Sequence, residues 1–235
     1  MRTGAPAGSP RRSAARVPWG RILSTMSSQL ARQFPDKPIP SVSRVARSRP
    51  DPFRVLVSTM ISLRTKDEVT GPAAERLLAA APTPARLAVL PESRIARLIY
   101  PAGFYRTKSR ALRATARLLE SRHGSRVPSS MENLLELPGV GRKTANLVRN
   151  LGFGLDGICV DTHVHRISNR LGWVRTSGPG QTEQALMAAL PRRYWIPINE
   201  LLVRWGQAVC TPLSPWCSRC AIADRCRRAG VGRSR

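Results

Sequence analysis

Three sets of residues in this chain have the types and spacing for chemistry. The first is Lys143, inside Leu137–Leu147, LPGVGRKTANL. Lys and Arg together number 39, yet only Lys37, Lys66, Lys108 and Lys143 are lysines. A lysine can shed its proton and attack an electrophilic carbon; an arginine in practice cannot. The second is Asp161, in Val160-Asp161-Thr162-His163. The third is a run of thiols, Cys210, Cys217, Cys220 and Cys226.

Pro138-Gly139-Val140-Gly141 reads as a tight turn between a helix ending near Leu137 and a second helix beginning at Arg142 or Lys143. The glycines permit positive φ and let another backbone come close. The free N–H groups of such a helix start bind phosphate, a contact that fixes position on DNA without reading sequence. The helix dipole disfavours a cation in that first turn, which favours a neutral, nucleophilic amine at Lys143. From this segment alone, nucleophile and phosphate contact weigh equally.

Asp161 precedes a helical run, Thr162–Leu171, that stops at Gly172. Asp is a favoured N-cap. A capping carboxylate is held rigidly and can still stabilise positive charge on a neighbouring group. The four thiols are spaced x6, x2 and x5, with one C-x-x-C pair and no nearby His. Four thiolates suit zinc or an iron–sulfur cubane, and spacing leaves both open. Their tight grouping points away from a disulfide framework. Cys159 stands apart as a core thiol.

The elements that position these groups are helical. Pro52 follows Asp51, a cap candidate, and Phe53, Leu56, Val57, Met60 and Ile61 then recur on one helical face. Ala73–Ala81, Ile95–Ile99 and Ser109–Glu120 read as further helices. No alternating strand pattern is convincing, so the fold class is all-α. The chain of 235 residues is 42% hydrophobic and carries a net charge of +25, with only 14 acids against its cations. That excess points to a polyanion, and its spread along the chain favours nucleic acid over membrane. Residues 1–28 read as a disordered basic tail without an apolar signal region. Residues 227–235 read as a basic C-terminal tail.

Leu137–Ala145, Val160–His163 and the cysteine run, in this order, resemble the endonuclease III branch of the helix–hairpin–helix DNA glycosylases, across residues 29–226. The resemblance implies two helical lobes flanking a DNA cleft. One is a helical barrel over 44–155 with the hairpin at 134–151; the other combines 29–43 with 156–226. It implies Lys143 as the nucleophile that forms a Schiff base and Asp161 as its partner. It also implies a [4Fe-4S] cluster on the four cysteines. The expected activity is excision of oxidised pyrimidines from double-stranded DNA and cleavage 3′ to the abasic site, by a monomer in a bacterial-type cytoplasm, nucleoid-associated; an organellar signal in the tail is the lesser alternative. DNA-contacting residues implied are Gly139, Val140, Gly141, Arg142, Thr144 and His163. Leu63 and Phe104 are implied as gap fillers, Leu63 standing where the family has a glutamine. The 211–216 loop lacks the basic residues that the family often places there. Two alternatives stay open: a non-catalytic iron–sulfur DNA-binding homologue, and an adenine-removing glycosylase, which needs a Glu where Thr59 stands.

Overall fold

The computed structural model describes residues 17–48 and 50–235. Among these residues it holds twelve α-helices and no strand. They are α1 (Trp19–Gln33), α2 (Ser41–Ser48), α3 (Pro52–Ser62), α4 (Asp67–Ala80), α5 (Pro84–Val89), α6 (Glu92–Ile99), α7 (Tyr105–His123), α8 (Met131–Leu135), α9 (Arg142–Phe153), α10 (Thr162–Leu171), α11 (Pro179–Ala189) and α12 (Pro197–Ala208).

Local chemistry explains several boundaries. The Asp51 carboxylate accepts from the Phe53 and Arg54 amides at 2.8 and 3.3 Å, ahead of Pro52 in the first turn. Gly154 and Gly172 end α9 and α10 in the left-handed region, where glycine carries no Cβ penalty. Helix α4 begins six residues before the expected Ala73, running through Pro72.

Two apolar cores form. The first gathers residues from Val42 to Val148, with α3 packed against α2, α4 and α9. Leu56 and Ile61 are fully enclosed there, and truncating either to Ala costs about 2–5 kcal/mol. The second core joins α1 to residues Ile158–Ile222. Helix α2 packs on α3 and α4, and its Val42 and Ala46 belong to the first core.

Two expectations about the ends are corrected. The basic tail expected through residue 28 gives way to α1 at Trp19, because Trp19, Ile22, Leu23, Met26 and Leu30 form a stripe buried in the second core. Of that expected tail, residues 1–16 lie outside the described residues. Residues 227–235 are not a loose tail either. Ala229 N donates to Arg170 O at 3.2 Å, and Ser218 N donates to Arg235 O at 3.0 Å. The Arg235 guanidinium lies 3.9 Å from the centre of the Trp216 ring.

Candidate active site and nucleic-acid interface

The start of α9 belongs to the first core, and residues 158–183 to the second. Between them lies a cavity of about 280 Å³, lined by Arg142, Lys143, Val160, Asp161, Thr162, Pro179, Gly180 and Glu183. Lys143 and Asp161, 18 positions apart in the sequence, thus share one cavity. A larger cavity of about 800 Å³ lies between α1, α2 and α12. It contains neither residue, so chemistry rather than size selects the smaller one.

Asp161 is the N-cap of α10. Its Oδ1 accepts from the His163 and Val164 amides, both at 2.9 Å. Lys143 is fixed through its backbone: its carbonyl accepts from the Cys159 thiol at 3.5 Å. Cys159 is fully buried, and burial pushes that thiol up to about 12, so it donates as a neutral S–H. Asn199 Nδ2 donates to the Cys159 carbonyl at 3.0 Å, holding the connecting segment between α9 and α10.

Glu183 carries no sequence signal and is the residue that reading missed. Its carboxylate is buried, 7% exposed, and accepts from Arg142 Nη2 at 2.7 Å and Nε at 3.1 Å. Asn146 Nδ2 adds a third bond at 3.0 Å. The hydrogen bond and charge of Glu183 raise the Arg142 guanidinium above its ordinary value. The fork of Arg142, expected on DNA phosphate, is therefore engaged inside the protein, because a buried carboxylate needs a partner.

The other expected DNA contacts separate by burial. Gly139 is left-handed at φ +80°, and a Cβ there would sit 3.2 Å from Ala111 Cβ. A Cβ on Gly141 meets nothing within 4 Å, so the space over the hairpin is open. No side chain caps the start of α9. The Val140 and Thr144 side chains are buried, leaving only their backbone for outside contact. His163 does not line the cavity. Its ring lies against Gly206 of α12, and Arg166 Nη2 is 3.2 Å from its Nδ1. Burial lowers its affinity for a proton, which the Asp161 charge partly offsets.

Leu63 is half-buried just after α3, whereas Phe104 is 58% exposed. Thr59 is fully buried, its hydroxyl donating to Val55 O at 2.7 Å.

The four cysteines surround one small apolar cavity of about 30 Å³, walled also by Ile167, Leu171, Trp205 and Trp216. Among the described residues, no three His, Cys, Asp or Glu side chains gather closely enough to hold a single metal ion. Four thiols lining one cavity are a donor set of the kind that holds a thiolate-ligated cluster. Donors suited to thiolates are in place. Arg170 Nη1 reaches Cys210 Sγ at 3.4 Å, and the Arg228 amide reaches Cys226 Sγ at 3.3 Å. Arg170 also braces the 211–216 loop through Thr211 O at 2.7 Å and Pro212 O at 2.5 Å. Gln29 of α1 receives the Ala221 amide at 2.9 Å and donates to Arg219 O at 2.5 Å, pinning the cysteine segment to the second core.

The all-helical fold thus sets a lysine and a carboxylate in one cavity beside the uncapped start of a hairpin helix. Residues 57–192 match the family of HhH-GPD superfamily base excision DNA repair proteins, and the chain belongs to that family. It is 45% identical over 217 residues to endonuclease III of Thermotoga maritima, spanning 91% of this chain and 98% of that one. It is 42% identical to the endonuclease III-like protein 1 of Gallus gallus, over 75% of this chain and 64% of that one. Its fold is similar to that of a trapped endonuclease III–DNA covalent intermediate with an estranged adenine, with TM-score 0.76 and 30% identity, over 89% of this chain and 94% of that one. Among the described residues no helix is long and apolar enough to cross a membrane.

Proposed function

We propose that this base excision repair glycosylase and abasic-site lyase acts on oxidised pyrimidines in duplex DNA, with Lys143 as nucleophile and Asp161 as its electrostatic partner. The observation that carries the reading is the shared cavity of Lys143 and Asp161. The damaged nucleotide leaves the stack and enters that cavity. The neutral Lys143 amine bonds to C1′ as the bond from C1′ to the base breaks, and the base departs with the electron pair and takes up a proton. Asp161 stabilises the positive charge that builds on the sugar and accepts a proton from the lysine. The C1′–O4′ bond then breaks, the remaining N–H proton passes to O4′, and the opened sugar is left as an imine on Lys143. The imine acidifies C2′–H; removal of that proton expels the 3′ oxygen as phosphate and breaks the strand. The open hairpin at Gly141 and the uncapped amides of α9 support one strand's phosphates.

Cys210, Cys217, Cys220 and Cys226 would hold a [4Fe-4S] cluster. Such a cluster supplies a rigid cross-link for a segment with little core of its own, anchored otherwise by Gln29 and Arg170.

The test is a panel of duplexes containing thymine glycol, dihydrouracil or undamaged thymine. Base release from the oxidised substrates with a 3′ unsaturated aldehyde end supports the reading. Release that is equally fast from undamaged thymine, or a base released with the strand left whole, overturns it.

A further inference from the structure

We infer that residues 227–235 form a folded basic arm that extends the DNA footprint beyond the cavity. Arg227, Arg228 and Arg233 would sit on backbone phosphates within about four to five nucleotides of the flipped sugar. The inference rests on the duplex binding proposed above and adds a second contact surface to it.

The arm is fixed by bonds that leave those three guanidinium groups unused. Ala229 N donates to Arg170 O at 3.2 Å, against the last turn of α10. The Arg228 amide reaches Cys226 Sγ at 3.3 Å, from a backbone held left-handed at φ +52°. Val231 N donates to Arg228 O at 3.0 Å, and Val231 joins the wall of the cysteine cavity. Arg235 anchors the arm to the 211–216 loop. Its amide donates to Pro215 O at 2.8 Å, and its Nε and Nη2 donate to Ser214 O at 3.1 and 3.0 Å. The guanidinium groups of Arg235 and Arg219 lie 3.9 and 4.8 Å from the centre of the Trp216 ring. The stem of Arg227 lies over Gly172, where a Cβ would collide with it.

The charge this arm presents is unbalanced. Residues 211–235 contain six arginines and a single acid, Asp224, which pairs with Arg225 at 3.5 Å. Arg227, Arg228 and Arg233 are exposed and take part in none of the ion pairs among the described residues. Cations massed on a fixed surface without acids favour a polyanion. The neighbouring 211–216 loop adds no charge, and its Leu213 is 92% exposed. Distance puts the arm within reach of the duplex that fills the cavity. Asp161 caps one end of α10, and Arg170 and Gly172 lie at the other, about 15 Å away at a rise of about 1.5 Å per residue. Nucleotides rise about 3.4 Å each along a strand, so that span covers about four to five of them.

The test is binding of the full chain, with its metal content intact, to duplexes carrying a tetrahydrofuran abasic analogue, over a series of salt concentrations. A triple variant, Arg227→Gln with Arg228→Gln and Arg233→Gln, removes charge and keeps the backbone bonds and the Arg235 anchor. It is expected to bind about tenfold more weakly or worse at about 0.1 M salt, and to lower the slope of log affinity against log salt by about two to three. The loss should be equal for all four bases opposite the analogue, because phosphate contacts carry no sequence information. It should vanish when the duplex is cut to fewer than about four pairs on one side of the analogue, and persist when the other side is cut. Arg233→Gln alone, at a residue that makes none of the anchoring bonds, should lower the slope by about one without changing the melting temperature. Wild-type affinity and slope in these variants overturn the inference. So does a loss that is indifferent to which side is shortened, the mark of net charge alone. Wild type that fails to bind the duplex at all would overturn the DNA-binding reading itself, whereas tight binding untouched by the substitutions overturns the arm alone.

Discussion

Arg142 grips Glu183 through two hydrogen bonds of 2.7 and 3.1 Å, joining the start of the hairpin helix α9 to α11 across the cavity that holds Lys143 and Asp161. The pair links the two cores at the place where a small shift would separate nucleophile from carboxylate. A buried carboxylate stripped of its cation is strongly destabilising, typically by about 3–5 kcal/mol, less here because Arg142 is itself half-exposed. Arg142→Ala is expected to lower the melting temperature more than Glu183→Gln does, since glutamine can still accept from Arg142. Both should slow covalent capture more than they weaken DNA binding. A weakened affinity with unchanged melting would restore Arg142 as a simple phosphate contact.

Asp161 combines a cap and a charge, and the two separate by substitution. Asparagine caps a helix about as well as aspartate but carries no charge. Asp161→Asn should change stability by less than about 1 kcal/mol while slowing base release by about a hundredfold or more. Asp161→Ala should lose both. If Asp161→Asn releases base at the wild-type rate, the carboxylate is only a cap.

The cysteine set makes a compositional prediction. Purified protein should contain iron and acid-labile sulfide in equal amounts, and little zinc. Cys220→Ser should loosen the segment held by Gln29 and lower the melting temperature. One zinc per chain with no sulfide would replace the cluster by a single-ion site.

Lys108 gives a pH dependence with a defined sign. Its ordinary value of 10.5 falls to about 8 in the folded chain because burial disfavours the ammonium. Between those values the unfolded chain binds the extra proton and the folded chain does not. Stability from this group therefore rises as pH climbs from about 8 to about 10.5, and its cost is fully present below 8. Wild type minus Lys108→Met, in chemical denaturation across pH 7–10.5, should show that rise. A flat difference would contradict it.

The helices that carry the chemistry were legible in the sequence because their ends are local. Asp51 and Asp161 cap, Gly172 stops, and LPGVG turns, each by chemistry within a few residues. Helix α1 was hidden because its apolar stripe begins at Trp19 inside a run of basic and small residues. Helix α11 was hidden behind Gly178-Pro179-Gly180, which reads as loop although Pro179 opens the helix. Glu183 was not legible for another reason. It acts through a partner 41 positions away, which leaves no periodic or compositional mark.

The most direct test of the central assignment is borohydride reduction of the protein bound to abasic-site DNA, followed by peptide mapping of the cross-link. The account predicts one covalent adduct, on the peptide containing Lys143, lost in Lys143→Ala while that variant still binds DNA. An adduct of undiminished yield in Lys143→Ala, or none in wild type, would contradict it.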